Sequence, residues 1–177
     1  LSVPEVGARS FAIARNLVDE SVTVDEDAIA LAILRLAELE KGVVEGAGAT
    51  PLAAFLAGRL PSLRGRRVAL VLCGGNIDPL VFSRVIGHGL AVDGRLLRFT
   101  AVISDRPGGL ADLASTIARA GASVQEIVHE RTFGETDVSR VTVQCVVEVR
   151  DRGHGDELLG ALAARGIRVV SRSEPGR

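Results

Sequence analysis

Arg67-Val68-Ala69-Leu70-Val71-Leu72-Cys73-Gly74-Gly75-Asn76-Ile77-Asp78-Pro79 is the stretch that decides how the first half of the chain is read. Val68–Leu72 is a short unbroken apolar run rich in β-branched residues, which predicts a strand buried on both faces, as in a parallel sheet. Cys73-Gly74-Gly75-Asn76 ends it, and Pro79 suits the first turn of a helix. Strand, glycine turn and helix form the layout that places ligands at the carboxyl ends of strands in α/β folds. Two glycines let the backbone approach a ligand closely. The same pattern also describes a plain tight turn between a strand and a helix.

Upstream, residues 1–10 read as irregular. Phe11, Ile13, Ala14, Leu17 and Val18 recur at helical spacing, with Ser10 as N-cap. Ser21–Val24 reads as a brief strand. Asp25 caps a longer helix with Glu26 and Asp27 in its first turn, where the helix dipole favours them. Its apolar stripe is Ile29, Ala32, Ile33, Leu36 and Leu39, and Gly42 ends it. Glu45 directly follows Val43 and Val44. A buried unpaired carboxylate is costly, so Glu45 is either a solvated loop residue or one held for a purpose. A helix over Pro51–Gly58, a loop over Pro61–Gly65 and a helix over Pro79–Ile86 complete this half. Gly87–Gly94 reads as a glycine-rich domain junction with His88 exposed in the linker.

Downstream the period changes. Leu97, Phe99, Ala101 and Ile103 alternate with Leu96, Arg98, Thr100 and Val102, a strand pattern. Asp105–Gly109 is a loop. Leu110, Leu113, Ala114, Ile117 and Ala118 form a helix face closed by Gly121. Ser123–Phe133 is a second strand, Gly134–Asp137 a turn, and Val141–Val149 a third strand. A helix carrying Leu158, Leu159, Leu162 and Ala163 stops at Gly166. Ile167–Val170 is the fourth strand, and Ser171–Arg177 reads as a disordered tail. The order βαββαβ is ferredoxin-like.

The 177 residues, 47% of them hydrophobic, suit one ordinary domain or two small ones. A net charge of −1 offers no electrostatic case for nucleic acid or a membrane surface. No apolar run approaches the roughly 18 residues of a membrane span, and no signal peptide opens the chain. Cys73 and Cys145 are the two cysteines, both in apolar strand contexts, which fits a reducing cytoplasm better than a disulfide framework. No Met is present, which points to a chain that starts mid-sequence or was processed. Lys41 is the one lysine. His88 stands alone and makes no metal site, which needs several converging ligands, so no metal ligand is expected.

Cys73–Asp78, with Val44–Ala49 upstream and Val6–Phe11 before that, resembles the threonine ammonia-lyase (threonine dehydratase) family. These are pyridoxal-phosphate (PLP) enzymes of fold type II, the tryptophan-synthase β type, related to serine racemase and serine dehydratase. The resemblance covers about residues 5–90, the last part of the family's catalytic domain. It implies that Cys73 contacts the PLP pyridine nitrogen, that Glu45 and Asn76 line the ring side, that Gly74 and Gly75 give clearance, and that Gly7 belongs to the same cofactor-binding set. A thiol is a weak, uncharged partner for that nitrogen, which suits elimination of a β-hydroxyl. The family's Schiff-base lysine and phosphate-binding glycine loop lie upstream of Leu1, and Lys41 aligns with neither. No catalytic residue is therefore assigned, and the chain alone is expected to be inactive.

The second half resembles an ACT domain, the amino-acid-sensing module often appended to these enzymes. Asp105-Arg106-Pro107-Gly108-Gly109 matches its Asp-x-Pro-Gly turn, whose N–H groups suit an α-carboxylate. Ser123 stands where the family carries Asn, and Val124 would face the side chain of the ligand. The resemblance implies isoleucine or valine as effector and association through ACT domains into a homo-oligomer. The fold expected is α/β: a partial PLP domain over residues 1–90, then a ferredoxin-like ACT domain over 91–177. The substrate expected is threonine, with a serine dehydratase or racemase relative as an alternative. A stand-alone amino-acid sensor or interaction module without catalysis is the other reading.

Overall fold

The computed structural model describes residues 5–130 and 139–173. The chain divides into two compact units, Leu1–Ile86 and Gly87–Arg177.

Among its described residues the first unit consists of helices joined by irregular segments and contains no strand. Helix α1 (Ala8–Ala14) has Gly7, not Ser10, at its N-cap, because the Phe11 N–H already donates to the Gly7 carbonyl at 2.9 Å. It buries none of its residues, and Phe11 and Ile13 stay exposed. Helix α2 (Glu26–Arg35) starts as expected, with Asp25 Oδ1 accepting the Ala28 N–H at 2.8 Å. It then widens into a π-helical turn, Leu36–Glu40. The wider turn changes the angular step per residue, so Leu39 swings off the apolar stripe and is 72% exposed. Lys41, in the left-handed region at φ 56°, ends the helix one residue before the expected Gly42. The Gly42 N–H reaches back to the Leu36 carbonyl at 3.2 Å, a Schellman-type closure.

Helix α3 (Gly46–Leu56) begins five residues before the expected Pro51, which lies inside it. Ala49 and Ala53 are small enough to let α3 pack on Ile29, Ala32, Ile33 and Leu36 of α2. A 3₁₀ turn spans Pro61–Leu63. Helix α4 (Pro79–Val92) overruns its expected end through Gly87, His88 and Gly89, so His88 is an exposed helical residue and not linker. Phe82, Val85 and Ile86 pack on the α2–α3 core, and packing outweighs the roughly 1 kcal/mol that each interior glycine costs a helix.

The two strands expected here, Ser21–Val24 and Val68–Leu72, are not strands. A strand exists by pairing its N–H and C=O groups with a neighbour, and no other described segment of this unit supplies one. Val71 is consequently 75% exposed.

The second unit is a four-stranded antiparallel sheet of order β2-β3-β1-β4, formed by β1 (Leu96–Ser104), β2 (Ser123–Glu130), β3 (Arg140–Glu148) and β4 (Arg168–Ser173). This is the expected βαββαβ arrangement, with helices α5 (Gly109–Arg119) and α6 (Arg152–Ala164) between strands. Leu97, Phe99, Ala101 and Ile103 of β1 and Val141, Val143, Cys145 and Val147 of β3 point into one core with Leu113, Ile117, Leu158 and Leu162 of the helices. The fourth strand runs on to Ser173, because Phe99 and Arg98 of β1 still offer pairing to Arg172 and Ser173. Residues 131–133 of the expected second strand, the expected Gly134–Asp137 turn and residues 174–177 of the expected tail lie outside the described residues.

Buried His154 joins the two helices. Its Nδ1 accepts the Arg150 N–H at 3.1 Å, so Nε2 carries the proton donated to the Ala120 carbonyl, 2.7 Å away. Its own backbone N–H donates to the capping Asp151 Oδ1 at 2.8 Å.

Candidate functional site

In the first unit the glycine turn sits directly on the start of α3. The Glu45 N–H donates to the Gly74 carbonyl at 2.9 Å. Gly74 has φ +88°, and a Cβ there would stand 2.3 Å from Glu45 Oε1. Gly48 faces the turn from the other side: its Cβ would meet the Cys73 carbonyl oxygen at 1.9 Å. A Cβ on Gly75 would stand 3.2 Å from the Val43 carbonyl. Glycine at 48 and 74 is therefore what permits this approach, since nothing larger fits. Glu45 is half-buried, while Cys73 and Asn76 are exposed.

Five of the six expected cofactor residues thus fall on one turn and the helix start beneath it. Gly7 is not joined to them. Among the described residues beyond its chain neighbours, Ser10 Oγ, at 3.8 Å, is the one atom within 4 Å of where its Cβ would stand. Gly48 was not singled out in the sequence, although it stands in the quoted Val44–Ala49 motif.

The residues fit one edge of PLP. The exposed Cys73 thiol stands at the turn, and the Glu45 side chain lies against Gly74 beside it. They supply no Schiff-base partner: Lys41 Nζ donates to the Glu38 carbonyl at 2.5 Å, at the C-cap of the π-helical turn.

In the second unit, Gly108 at φ +99° turns the chain into α5, and a Cβ on Gly109 would meet the Ser104 carbonyl at 2.1 Å. The Asp105 N–H donates to the Ser139 carbonyl at 2.9 Å. A cleft of about 370 Å³ opens beside this turn, lined by Ser104, Arg106, Gly109, Asp112, Arg140 and Arg165 among others. Arg165 and Asp112 pair across it at 2.5 Å. Arg140 and Arg165 were not singled out in the sequence, and Arg106 stood only as the variable residue of the quoted turn, because nothing in a strand-start, helix-end or loop arginine marks it before the turn is folded.

Ser123 and Val124 lie elsewhere. Asp105 Oδ1 is 4.0 Å from His129, near the far end of β2. Ser123 pairs with Glu148 opposite the start of β1, and Ser104 with Arg140 at its finish. Six residues of strand separate Ser123 from His129, about 20 Å. Within one chain the expected effector residues are split between the two ends of the sheet.

Residues 1–74 match the family model for pyridoxal-phosphate dependent enzymes, and residues 99–164 match the ACT domain model. The L-threonine ammonia-lyase of Geobacter sulfurreducens is 42% identical over 96% of this chain, and that of Thermotoga maritima 37% identical over the same share. In both cases the chain spans 42% of the relative's length. The catabolic L-threonine dehydratase TdcB of Staphylococcus aureus strain N315 is 39% identical over 49% of the chain and 25% of its own length. Two family models thus match in succession along the chain, each over less than half of its length.

Proposed function

We propose that this chain is the C-terminal part of a PLP-dependent threonine ammonia-lyase, which converts L-threonine to 2-oxobutanoate and ammonia. Residues 1–90 belong to its catalytic domain and 91–177 form its ACT regulatory domain. The observation that carries this reading is the seating of the Cys73–Gly75 turn on Glu45 and Gly48, which unites two separate motifs in one glycine-cleared surface. The threonine ammonia-lyase relatives along almost the whole chain support the same reading.

PLP, when bound, supplies the electron sink for loss of the α-proton and the β-hydroxyl. Cys73 would meet the pyridine nitrogen with a neutral group. Gly74 and Gly75 would let the turn close against Glu45 and Val43 and so shape one wall of the site, and Glu45 and Asn76 would line the side of the ring. The lysine and the phosphate loop would come from the remainder of the enzyme.

The ACT half would bind a small amino acid, with isoleucine or valine as effector. The Gly108 and Leu110 N–H groups at the helix start would suit its carboxylate, beside Asp105; the Gly109 N–H is already donated to the Arg106 carbonyl at 3.1 Å. Ser123 and Val124 would reach it from a second copy. β2 is an edge strand, and antiparallel pairing of two β2 edges would bring Ser123 of one copy to the end of the sheet that carries the other's turn.

The test is a chimera in which the residues preceding this segment come from the Geobacter relative. Cys73→Ser is expected to retain most threonine turnover. Cys73→Asp is expected to lose on the order of tenfold or more, each tenfold being about 1.4 kcal/mol in the barrier. Equal activity of the two variants would overturn the role given to Cys73.

A further inference from the structure

We infer that the open face of the sheet carries a second binding site, for an α-amino acid with an apolar side chain, distinct from the Asp105–Gly109 turn. A cleft of about 470 Å³ lies between the last turns of α4 and this face. That volume is in the range of about 300–1,000 Å³ usual for small-molecule sites.

One rung of the ladder crosses its floor. Glu126 pairs with Val146, Val146 with Arg98, and Arg98 with Ser173, so one residue of each strand stands in a row. Arg98 alternates with core-facing Leu97 and Phe99, which puts the row on the face opposite the helices. At about 4.8 Å between strands, Arg98 and Glu126 are about 10 Å apart at the backbone. Neither has an ion-pair or hydrogen-bond partner among the described residues. Val146, between them, is buried, and Leu96 and Ala91 add apolar surface.

The row exists because both edge strands are bulged. Val124 pairs with Val147 on the core side, and simple alternation would send Glu126 there too. The register shift between Val124 and Glu126 turns Glu126 to the open face and leaves Gln125 as the extra residue. The shift between Thr100 and Ala101 does the same on β4: Val169 faces the core opposite Ala101, and Ser171 and Ser173 then fall on the open face. Bulges recur where a side chain is re-aimed at a site. A cation, an anion and an apolar floor between them match a zwitterion: its carboxylate on Arg98, its ammonium on Glu126, its side chain over Val146.

This site does not rest on the lyase reading, and calorimetry on the whole chain separates it from the turn. The probes are L-isoleucine, L-isoleucinamide, which lacks the carboxylate, and N-acetyl-L-isoleucine, which lacks the ammonium. Isoleucine is expected to bind, and each blocked analogue to bind about tenfold or more weakly, as loss of a charged hydrogen bond implies. Arg98→Gln is expected to bind isoleucine and its amide alike, and Glu126→Gln to bind isoleucine and its N-acetyl form alike. Both variants are exposed changes, with folding checked by circular dichroism. Gly109→Ala, which disturbs the turn, is expected to leave this binding intact. The inference is overturned by no heat with isoleucine, by wild-type discrimination in Arg98→Gln and Glu126→Gln, or by binding that is lost in Gly109→Ala alone. That last outcome would assign the amino acid to the turn.

Discussion

Glu45 occupies the space that a side chain on Gly74 would need: its Oε1 is 2.3 Å from where that Cβ would stand, and its amide donates to the Gly74 carbonyl at 2.9 Å. The contact joins two motifs 29 residues apart in sequence. Gly74→Ala must move Glu45 and also adopt φ +88° without glycine. A strained left-handed position costs about 1–3 kcal/mol, and a loss of that size is expected in denaturant unfolding. Gly48→Ala should cost more, because its obstacle is the Cys73 backbone. Gly42→Ala, with nothing within 4 Å, should cost least of the three. Equal effects at 42 and 48 would contradict the packing described.

The two thiols should differ in reactivity. Cys73 is exposed, whereas Cys145 is buried in the sheet core, and burial pushes its thiol up from 9.0 to about 11. A thiol reagent at pH 8 is expected to modify Cys73 in the folded chain and to reach Cys145 after denaturation. The raised value also predicts a pH effect. Below pH 9 both folded and unfolded thiols are protonated and the stabilisation is full. As pH rises from 9 toward 11, the unfolded thiol ionises first, and that stabilisation is lost. Cys145→Ala should flatten this part of the stability–pH profile.

His154→Phe should destabilise the second unit. It leaves the Ala120 carbonyl and the Arg150 N–H without the partner each has now. Both bonds are only part-buried, so a loss on the order of 1–3 kcal/mol in total is expected in thermal or denaturant unfolding. An unchanged midpoint would show that neither bond matters.

Much of the second unit was legible in the sequence because its strands find their partners within the unit. Leu97, Phe99, Ala101 and Ile103 alternate into a core that the same 91 residues complete, so period and burial agree. The bulges at Gln125 and Val170 were not legible, since a register shift depends on the partner strand. Nor was the union of Ser123 with the Gly109 turn testable from spacing, because they belong to opposite ends of the sheet. In the first unit, Asp25 announced its helix correctly through its side-chain chemistry. Val68–Leu72 has strand composition but finds no pairing partner among the described residues, and composition alone does not make a ladder. The Glu45 and Cys73 motifs were readable as motifs, whereas their contact required the fold.

Self-association should run through β2. Val128 is 42% exposed on this edge strand. A lysine on an edge discourages pairing, so Val128→Lys is expected to shift the chain from dimer toward monomer in sedimentation. A monomeric parent chain, or a variant that stays dimeric, would contradict pairing at this edge.

The most direct test of the account is threonine turnover by the chimera that carries the upstream residues of the Geobacter relative ahead of this chain. With PLP, the chimera is expected to release 2-oxobutanoate from L-threonine. The chain alone, whose one lysine is held at the Glu38 carbonyl, is expected to release none and to show no PLP fixed to Lys41 by borohydride. A folded chimera that binds PLP and leaves threonine unchanged, or turnover by the isolated chain with PLP fixed on Lys41, would contradict the account.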